Sequence, residues 1–218
     1  MKKILSIILV TIIMFFSTIC VYADAESFAS NSISSINDSL ILPKGGADIK
    51  LSVPLYRQPF NSDLCGPTCC RMILKYYGVS KNLDAIANEM QNMPNHNYTH
   101  IDSVTTMLNR YISGNHYLKK SDSAYPFPSN LVASIDAGYP IVCHVNTAVL
   151  PEYNGAIFYH YVVATGYFWA QGGSSGGTEN VYYNDPHYND DYGGRHQCSW
   201  FKMQKAIQNH MGLYVRGI

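Results

Sequence analysis

A cysteine stands where a loop turns into a helix. Asp63-Leu64-Cys65-Gly66-Pro67-Thr68 runs into Cys69-Cys70-Arg71-Met72-Ile73-Leu74-Lys75-Tyr76-Tyr77-Gly78. Pro67 suits a first helical position, where a missing N–H costs nothing. Met72, Ile73, Tyr76 and Tyr77 recur near helical spacing and Gly78 offers a stop, so a helix is predicted over 67–77. Cys65 then sits where free backbone N–H groups favour negative charge, which lowers a thiol pKa toward the reactive thiolate. That makes it a candidate nucleophile. The ordinary role of a free cysteine is a small buried apolar residue, and this stretch alone leaves both roles open.

A thiol nucleophile needs a base, a group to orient the base, and donors for an oxyanion. His160 is the one histidine in the apolar strand-like run from Ile157 to Tyr167. A histidine so placed is commonly a satisfied structural residue. Asp185 closes the run Val181-Tyr182-Tyr183-Asn184-Asp185-Pro186, where an Asp before Pro is also a common turn former. Gln58 lies upstream of Cys65, with side-chain N–H groups available to an oxyanion. Each residue is a weak signal by itself. The order Gln, Cys, His, Asp, with the cysteine opening a helix and the others on or beside strands, is far more specific.

Together Gln58, Asp63-Leu64-Cys65-Gly66-Pro67-Thr68, His160-Tyr161-Val162-Val163 and Asn184-Asp185-Pro186 resemble the bacteriocin-processing cysteine peptidases, which cut after a double glycine in a leader peptide, and their broader secreted relatives. The resemblance covers roughly residues 50–218. It implies a papain-like fold, with the cysteine helix packed on an antiparallel sheet. It also implies a catalytic triad of Cys65, His160 and Asp185, with Gln58 completing the oxyanion hole. The implied activity is hydrolysis of a peptide bond through an acyl-enzyme, with a peptide or protein as substrate and neither cofactor nor metal. Two departures stand out. Leu64 separates an Asp and a Cys that are usually adjacent in that family. The best-known members are cytosolic domains fused to transporters, whereas a signal peptide opens this chain, so chemistry carries over better than substrate choice. An amidase or acyltransferase acting on cell-wall peptides, or a silent peptide-binding domain, are the other readings.

The elements that must position these residues follow from periodicity. Ile49 to Leu55 alternates as a strand. Helices are predicted over 67–77, 83–93 with Asn82 as cap, 102–112, and 130–137 closed by Gly138. The pattern then changes to strands at 141–145, 159–169, 180–184 and 213–216, with a helix over 200–210 before the last. Gly172 to Gly177 breaks the pair 159–169 and 180–184 as a hairpin loop. Helices first and antiparallel strands later indicate an α+β domain.

Upstream, Met1-Lys2-Lys3 and the apolar run Ile4 to Val21 lead to small-residue cleavage sites after Ala23 and Ala25, so 1–25 reads as a secretory signal peptide. The run is also long enough to raise a membrane anchor, but the cleavage sites and the polar sequence beyond favour removal, and no stable membrane insertion is expected afterwards. Residues 26–47, rich in Ser and Asn, read as a linker or pro-segment, and 48–218 as the peptidase domain. A bacterial protein exported to the surface or medium is expected.

The chain has 218 residues and a formal net charge of zero, so no basic excess exists to neutralise phosphates and nucleic acid is an unsuitable partner. Nothing in the composition bears on oligomeric state. The 18 tyrosines suit half-buried strand surfaces. After cleavage the cysteines are 65, 69, 70, 143 and 198, an odd number without zinc spacing. Cys69 and Cys70 are expected to pack the helix. A Cys65–Cys69 bridge would be strained and would block the nucleophile, which leaves Cys143 with Cys198 as the one pairing considered. His96 and His100 lie in a Pro/Asn-rich loop where their spacing does not converge on a metal. His144 reads as structural or solvent-facing. Asp185, Asp190 and Asp191 lack a calcium-loop pattern.

Overall fold

The computed structural model describes residues 46–91, 99–114, 116–123, 126–170 and 179–218. The elements, in order, are β1 (Ala47–Lys50), α1 (Cys65–Tyr76), α2 (Leu83–Gln91), α3 (Ile101–Tyr111), β2 (Tyr117–Ser121), α4 (Phe127–Asp136), β3 (Ile141–Asn146), two 3-10 turns (Thr147–Val149 and Pro151–Tyr153), β4 (Tyr159–Trp169), β5 (Asn180–Asp185), β6 (Gly194–Ser199), α5 (Trp200–Gln208) and β7 (Leu213–Gly217). Three helices precede most of the sheet, as an α+β chain requires.

All pairings are antiparallel, and the sheet runs β2-β7-β3-β4-β5-β6. One edge of β4 carries β5. The other carries β3 along Tyr159–Ala164 and then β1 along Gly166–Trp169. Side chains alternate across the sheet, as a period of two dictates. Val142, Tyr161, Val163 and Val215 pack with Met72, Ile73, Ile86 and Met107 of α1, α2 and α3. Cys143, Val145, Val162 and Ala164 pack on the opposite face with Leu131, Ile135, Met203 and Ile207 of α4 and α5. The sheet is therefore a middle layer with helices on both faces.

Several boundaries depart from the sequence reading. The strand expected over 49–55 is Ala47–Lys50, after which the ladder ends. The Leu51 N–H still donates to the Thr165 carbonyl at 2.8 Å, but the Val53 N–H turns back to the Leu51 carbonyl at 2.8 Å and the adjoining edge of β4 passes to β3. The cysteine helix begins at Cys65 rather than Pro67, because the Leu64 carbonyl already accepts the Thr68 N–H at 2.9 Å. Pro67 becomes the third helical residue, still among the four whose N–H groups have no partner inside the helix. Helix α4 starts three residues earlier than expected, since Asp122 Oδ1 accepts the Phe127 N–H at 2.7 Å and caps that end. Helix α2 is described to Gln91, and α5 ends at Gln208. Strands β2 and β6 were not foreseen. The Gly172–Gly177 loop, His96, the signal peptide and the linker through Gly45 lie outside the described residues.

Glycine is required where β1 meets β4. Thr165 bulges out of the β4–β5 register, and a Cβ on Gly166 would lie 2.1 Å from the Ile49 carbonyl oxygen. Only a bare backbone lets β1 approach so closely.

Candidate active site

Cys65 is the first residue of α1 and remains partly exposed at the helix N-terminus. Gly66 follows because Thr99 presses on the helix there, and a Cβ would lie 2.3 Å from Thr99 Cγ2. Thr99 is held in turn by its carbonyl, which accepts the Tyr161 hydroxyl at 3.1 Å. One turn on, Cys69 is fully buried and its Sγ donates to the Tyr161 carbonyl at 3.4 Å. The loop, the helix and β4 thus lock the thiol at the end of the sheet.

His160 enters from the start of β4 and Asp185 from the end of β5, neighbouring strands of the sheet. His160 Nε2 and Asp185 Oδ1 are 2.8 Å apart, and both side chains are buried. The ring lines the same cleft as the Cys65 thiol. Because Nε2 is committed to the carboxylate, Nδ1 is the nitrogen left for sulfur. Burial works against a charged ring, but the Asp185 carboxylate and the Cys65 sulfur together raise the imidazole to about 10. Burial also opposes ionisation of Asp185. The His160 ring outweighs it and, with the His187 backbone N–H at 2.7 Å and the Tyr153 hydroxyl at 2.9 Å, holds the carboxyl below its usual range. The pair is an ion pair at neutral pH, with the charged ring facing the same cleft as Cys65.

Gln58 arrives on the irregular segment that follows β1. That segment is stitched to the end of β5. Asn184 Nδ2 donates to the Val53 carbonyl at 3.1 Å, and the Gln58 N–H donates to the Pro186 carbonyl at 2.7 Å. Arg57 donates to the His187 and Asn189 carbonyls at 2.7 and 3.3 Å and pairs with Asp190 at 2.9 Å. The sequence reading had the Gln58 amide wholly free. Instead Nε2 donates one N–H to the Ser62 carbonyl at 2.6 Å, which leaves the second N–H for the cleft that Gln58 and Cys65 both line. Its Oε1 is buried without a partner among the described residues.

The cleft has a volume of about 590 Å³. Aromatic rings line it. Phe60, 78% exposed, stands edge-on to Tyr188 at 4.9 Å, and Tyr188 stacks on His187 at 4.6 Å. Elsewhere Tyr159, 66% exposed, stacks on His210 at 4.3 Å. His210 Nε2 and His144 Nε2 lie 2.8 Å apart, and His144 stacks on Tyr161 with centroids 4.1 Å apart and planes 3° apart. Burial, and then His210 beside it, push His144 down to about 3. His144 was read as structural or solvent-facing, and the first is nearer: it supports a wall of the cleft. Burial lowers His187, whose ring lies 5.8 Å from His160.

The structure therefore brings Cys65, His160 and Gln58 to one cleft, with Asp185 buried behind His160. Tyr153, Arg57 and Asn184 were not singled out in the sequence. Asn184 carries a faint signal beside Asp185, and Tyr153 carries none, since Pro151-Glu152-Tyr153 reads only as a turn. Cys143 and Cys198, considered as a pair, are free thiols. Among the described residues no three His, Cys, Asp or Glu side chains gather in a way that would hold a metal ion.

A family model described as "Peptidase_C39 like family" matches residues 50–212. Among solved structures, a Bacillus anthracis protein described as a C39-like peptidase is similar with a TM-score of 0.58 and 18% identity, covering 79% of this chain and 98% of that one. The peptidase domain of Streptococcus ComA, a bifunctional ABC transporter in a quorum-sensing pathway, gives a TM-score of 0.49 at 18% identity over 75% of this chain and 96% of that one. A double glycine motif protease from an AMS/PCAT transporter, solved with its leader peptide, gives 0.46 at 16% identity over 78% of this chain and 98% of that one. No curated protein matches the chain.

Proposed function

The chain belongs to the Peptidase_C39 like family, and from that premise we propose that it is a secreted thiol peptidase acting through Cys65, His160, Asp185 and Gln58. The observation that carries this reading is the buried His160–Asp185 pair, 2.8 Å apart, in which His160 lines the same cleft as Cys65 at the start of its helix. The Asp185 carboxylate and the neighbouring Cys65 sulfur hold the ring charged at neutral pH.

The chemistry follows from these positions. His160 Nδ1 holds the proton that Cys65 has given up, and the thiolate attacks the carbonyl carbon of an amide. Negative charge moves to the carbonyl oxygen, where the free Gln58 N–H and the Cys65 backbone N–H receive it. Collapse of the tetrahedral intermediate breaks the C–N bond, and His160 gives its proton to the leaving amine. Water then attacks the thioester with His160 again accepting a proton, and the acid leaves as Cys65 is restored. Asp185 keeps the ring aligned throughout. Phe158, Tyr159 and Tyr188 give the cleft apolar surface for side chains flanking the scissile bond.

Export rests on the signal-peptide pattern of residues 1–25. The mature N-terminus, read by peptide sequencing of protein from the medium or cell surface, is expected after Ala23 or Ala25. For activity, the deciding experiment is digestion of a peptide library set against digestion of purified peptidoglycan, each with wild type and Cys65→Ala. Cleaved library peptides that vanish with Cys65→Ala support the peptidase. Release from peptidoglycan alone makes it a cell-wall amidase or transferase. No Cys65-dependent product from either makes it a binding domain.

A further inference from the structure

Resting on the reading above, we propose that Tyr153 is a positioning residue of the active site, whose hydroxyl fixes the orientation and charge of Asp185 and through it the His160 ring. The two oxygens of Asp185 are held differently. Oδ1 accepts from His160 Nε2 at 2.8 Å and from the His187 N–H at 2.7 Å. Oδ2 accepts from the Tyr153 hydroxyl at 2.9 Å. A carboxylate held at one oxygen can swing about its Cβ–Cγ bond. Held at both, it keeps its plane, and the His160 ring bonded to it keeps the tilt that points Nδ1 at sulfur.

Tyr153 is built for this task. It is 1% exposed and closes the short turn Pro151–Tyr153, with its N–H donating to the Leu150 carbonyl and its carbonyl accepting from Ala156. Asn154 then reverses the chain with φ of 48°. The ring stacks on Tyr192 at 4.7 Å with planes 8° apart, which fixes where the hydroxyl points. No apolar residue of the same shape would give the buried carboxylate a donor at Oδ2, and an unmet buried charge is costly.

Other titratable groups face Asp185. His160 comes from β4, Cys69 from α1, Tyr183 from β5, and Glu152 from the turn that carries Tyr153. His187 follows on the same loop, with Arg57 bound to its carbonyl. Among these, His160 and Tyr153 are the two whose side chains donate directly to the carboxylate. Losing the Tyr153 donor therefore makes Asp185 easier to protonate while leaving its other neighbours in place. The active ion pair should then fail at a higher pH on the acid side, with no loss on the alkaline side.

The test uses Tyr153→Phe in the full chain and follows alkylation of Cys65 by iodoacetamide across pH, which needs no known substrate. The expected result is an alkylation rate about ten- to a hundredfold lower at neutral pH, in keeping with the loss of one hydrogen bond to a charged group. The acid limb should move up by about one unit. On an Asp185→Asn background, Tyr153→Phe should add nothing, because its effect passes through the carboxylate. If the Phe variant does not fold, 3-fluorotyrosine at position 153, whose hydroxyl is a stronger donor, should move the acid limb downward. A Tyr153→Phe profile that superimposes on wild type, or effects that simply add on the Asp185→Asn background, would overturn the proposal. The underlying reading fails separately. It falls if Cys65→Ala keeps full hydrolytic activity on whichever library peptide or peptidoglycan the wild type cleaves.

Discussion

A thiol becomes a nucleophile through its surroundings, and the five described cysteines differ in little else. Burial pushes the Cys69, Cys70 and Cys143 thiols up strongly, and Cys198 to about 12. Cys65 alone among them is partly exposed, and it lines the same cleft as His160. Iodoacetamide followed by peptide mapping should therefore label Cys65 first. Cys65→Ala should remove activity while leaving the melting temperature nearly unchanged, and Cys69→Ala should keep activity. Labelling of Cys69 ahead of Cys65 would reassign the nucleophile. As the proposed oxyanion donor, Gln58 would contribute in the transition state, when charge reaches the carbonyl oxygen. Gln58→Ala should lower kcat about 10²–10³-fold with KM little changed. Gln58→Glu should be worse, since it sets a negative charge beside the forming oxyanion. An unchanged kcat in Gln58→Ala would remove it from the site. These four residues were legible as a candidate set because their order along the chain is specific, each being a weak signal by itself. Tyr153 was not, because its partner is 32 positions away and only the folded turn brings them together.

Elements with a strong period were read correctly in kind, and the misses share a cause. Tyr117–Ser121 and Gly194–Ser199 are strands of mixed polarity at the two ends of the sheet order, with little alternation to betray them. Residues 51–55 alternate well but find no ladder, because the neighbouring edge is taken, which no local pattern records. That stretch matters for function, since it carries Gln58 to the loop after Asp185. Arg57 fastens the two, and the fastening depends on Gly193: a Cβ there would lie 1.9 Å from Arg57 Nη1 and 2.0 Å from the His187 carbonyl oxygen. Arg57→Ala should speed amide hydrogen exchange at 187–193 and lower kcat, with a loss of global stability within about 1–3 kcal/mol. Gly193→Ala should reproduce both effects from the other side of the contact. Exchange rates in that loop unchanged by Arg57→Ala would show that the loop holds itself.

At the scale of the whole molecule, the sheet separates two helical layers, and the site sits where one strand end meets the N-terminus of the helix packed on the opposite face. His160 and Asp185 alternate in step with Val162, Ala164, Val181 and Tyr183 toward the α4–α5 layer, whereas Cys65 belongs to the α1 layer. The charges of the site therefore lie within the packed body of the domain, and its stability must follow their titration. The His160 ring is raised to about 10, so the folded chain keeps a proton that the unfolded chain loses near the ordinary histidine value of ~6.5. That contribution is full below ~6.5 and is lost as pH climbs toward 10. His144 behaves in the opposite sense. Its folded value of about 3 lies below the unfolded one, so its contribution is full above ~6.5 and is lost as pH falls toward 3. Asp185, held low, loses its contribution further down on the same acid side. Urea unfolding across pH should accordingly give a maximum near neutrality with falling limbs on both sides. The two limbs have different owners and can be separated. His144→Phe keeps a ring against Tyr161 and removes both the His210 contact and a buried Nδ1 that has no partner among the described residues. It should flatten the limb between pH 6.5 and 4 and leave the alkaline limb alone. Asp185→Asn, which removes the carboxylate that sustains the charged His160 ring, should flatten the alkaline limb instead. An acid limb that keeps its full slope in His144→Phe would place the acid sensitivity in His187, which burial also lowers, or in the carboxylates, and not in His144.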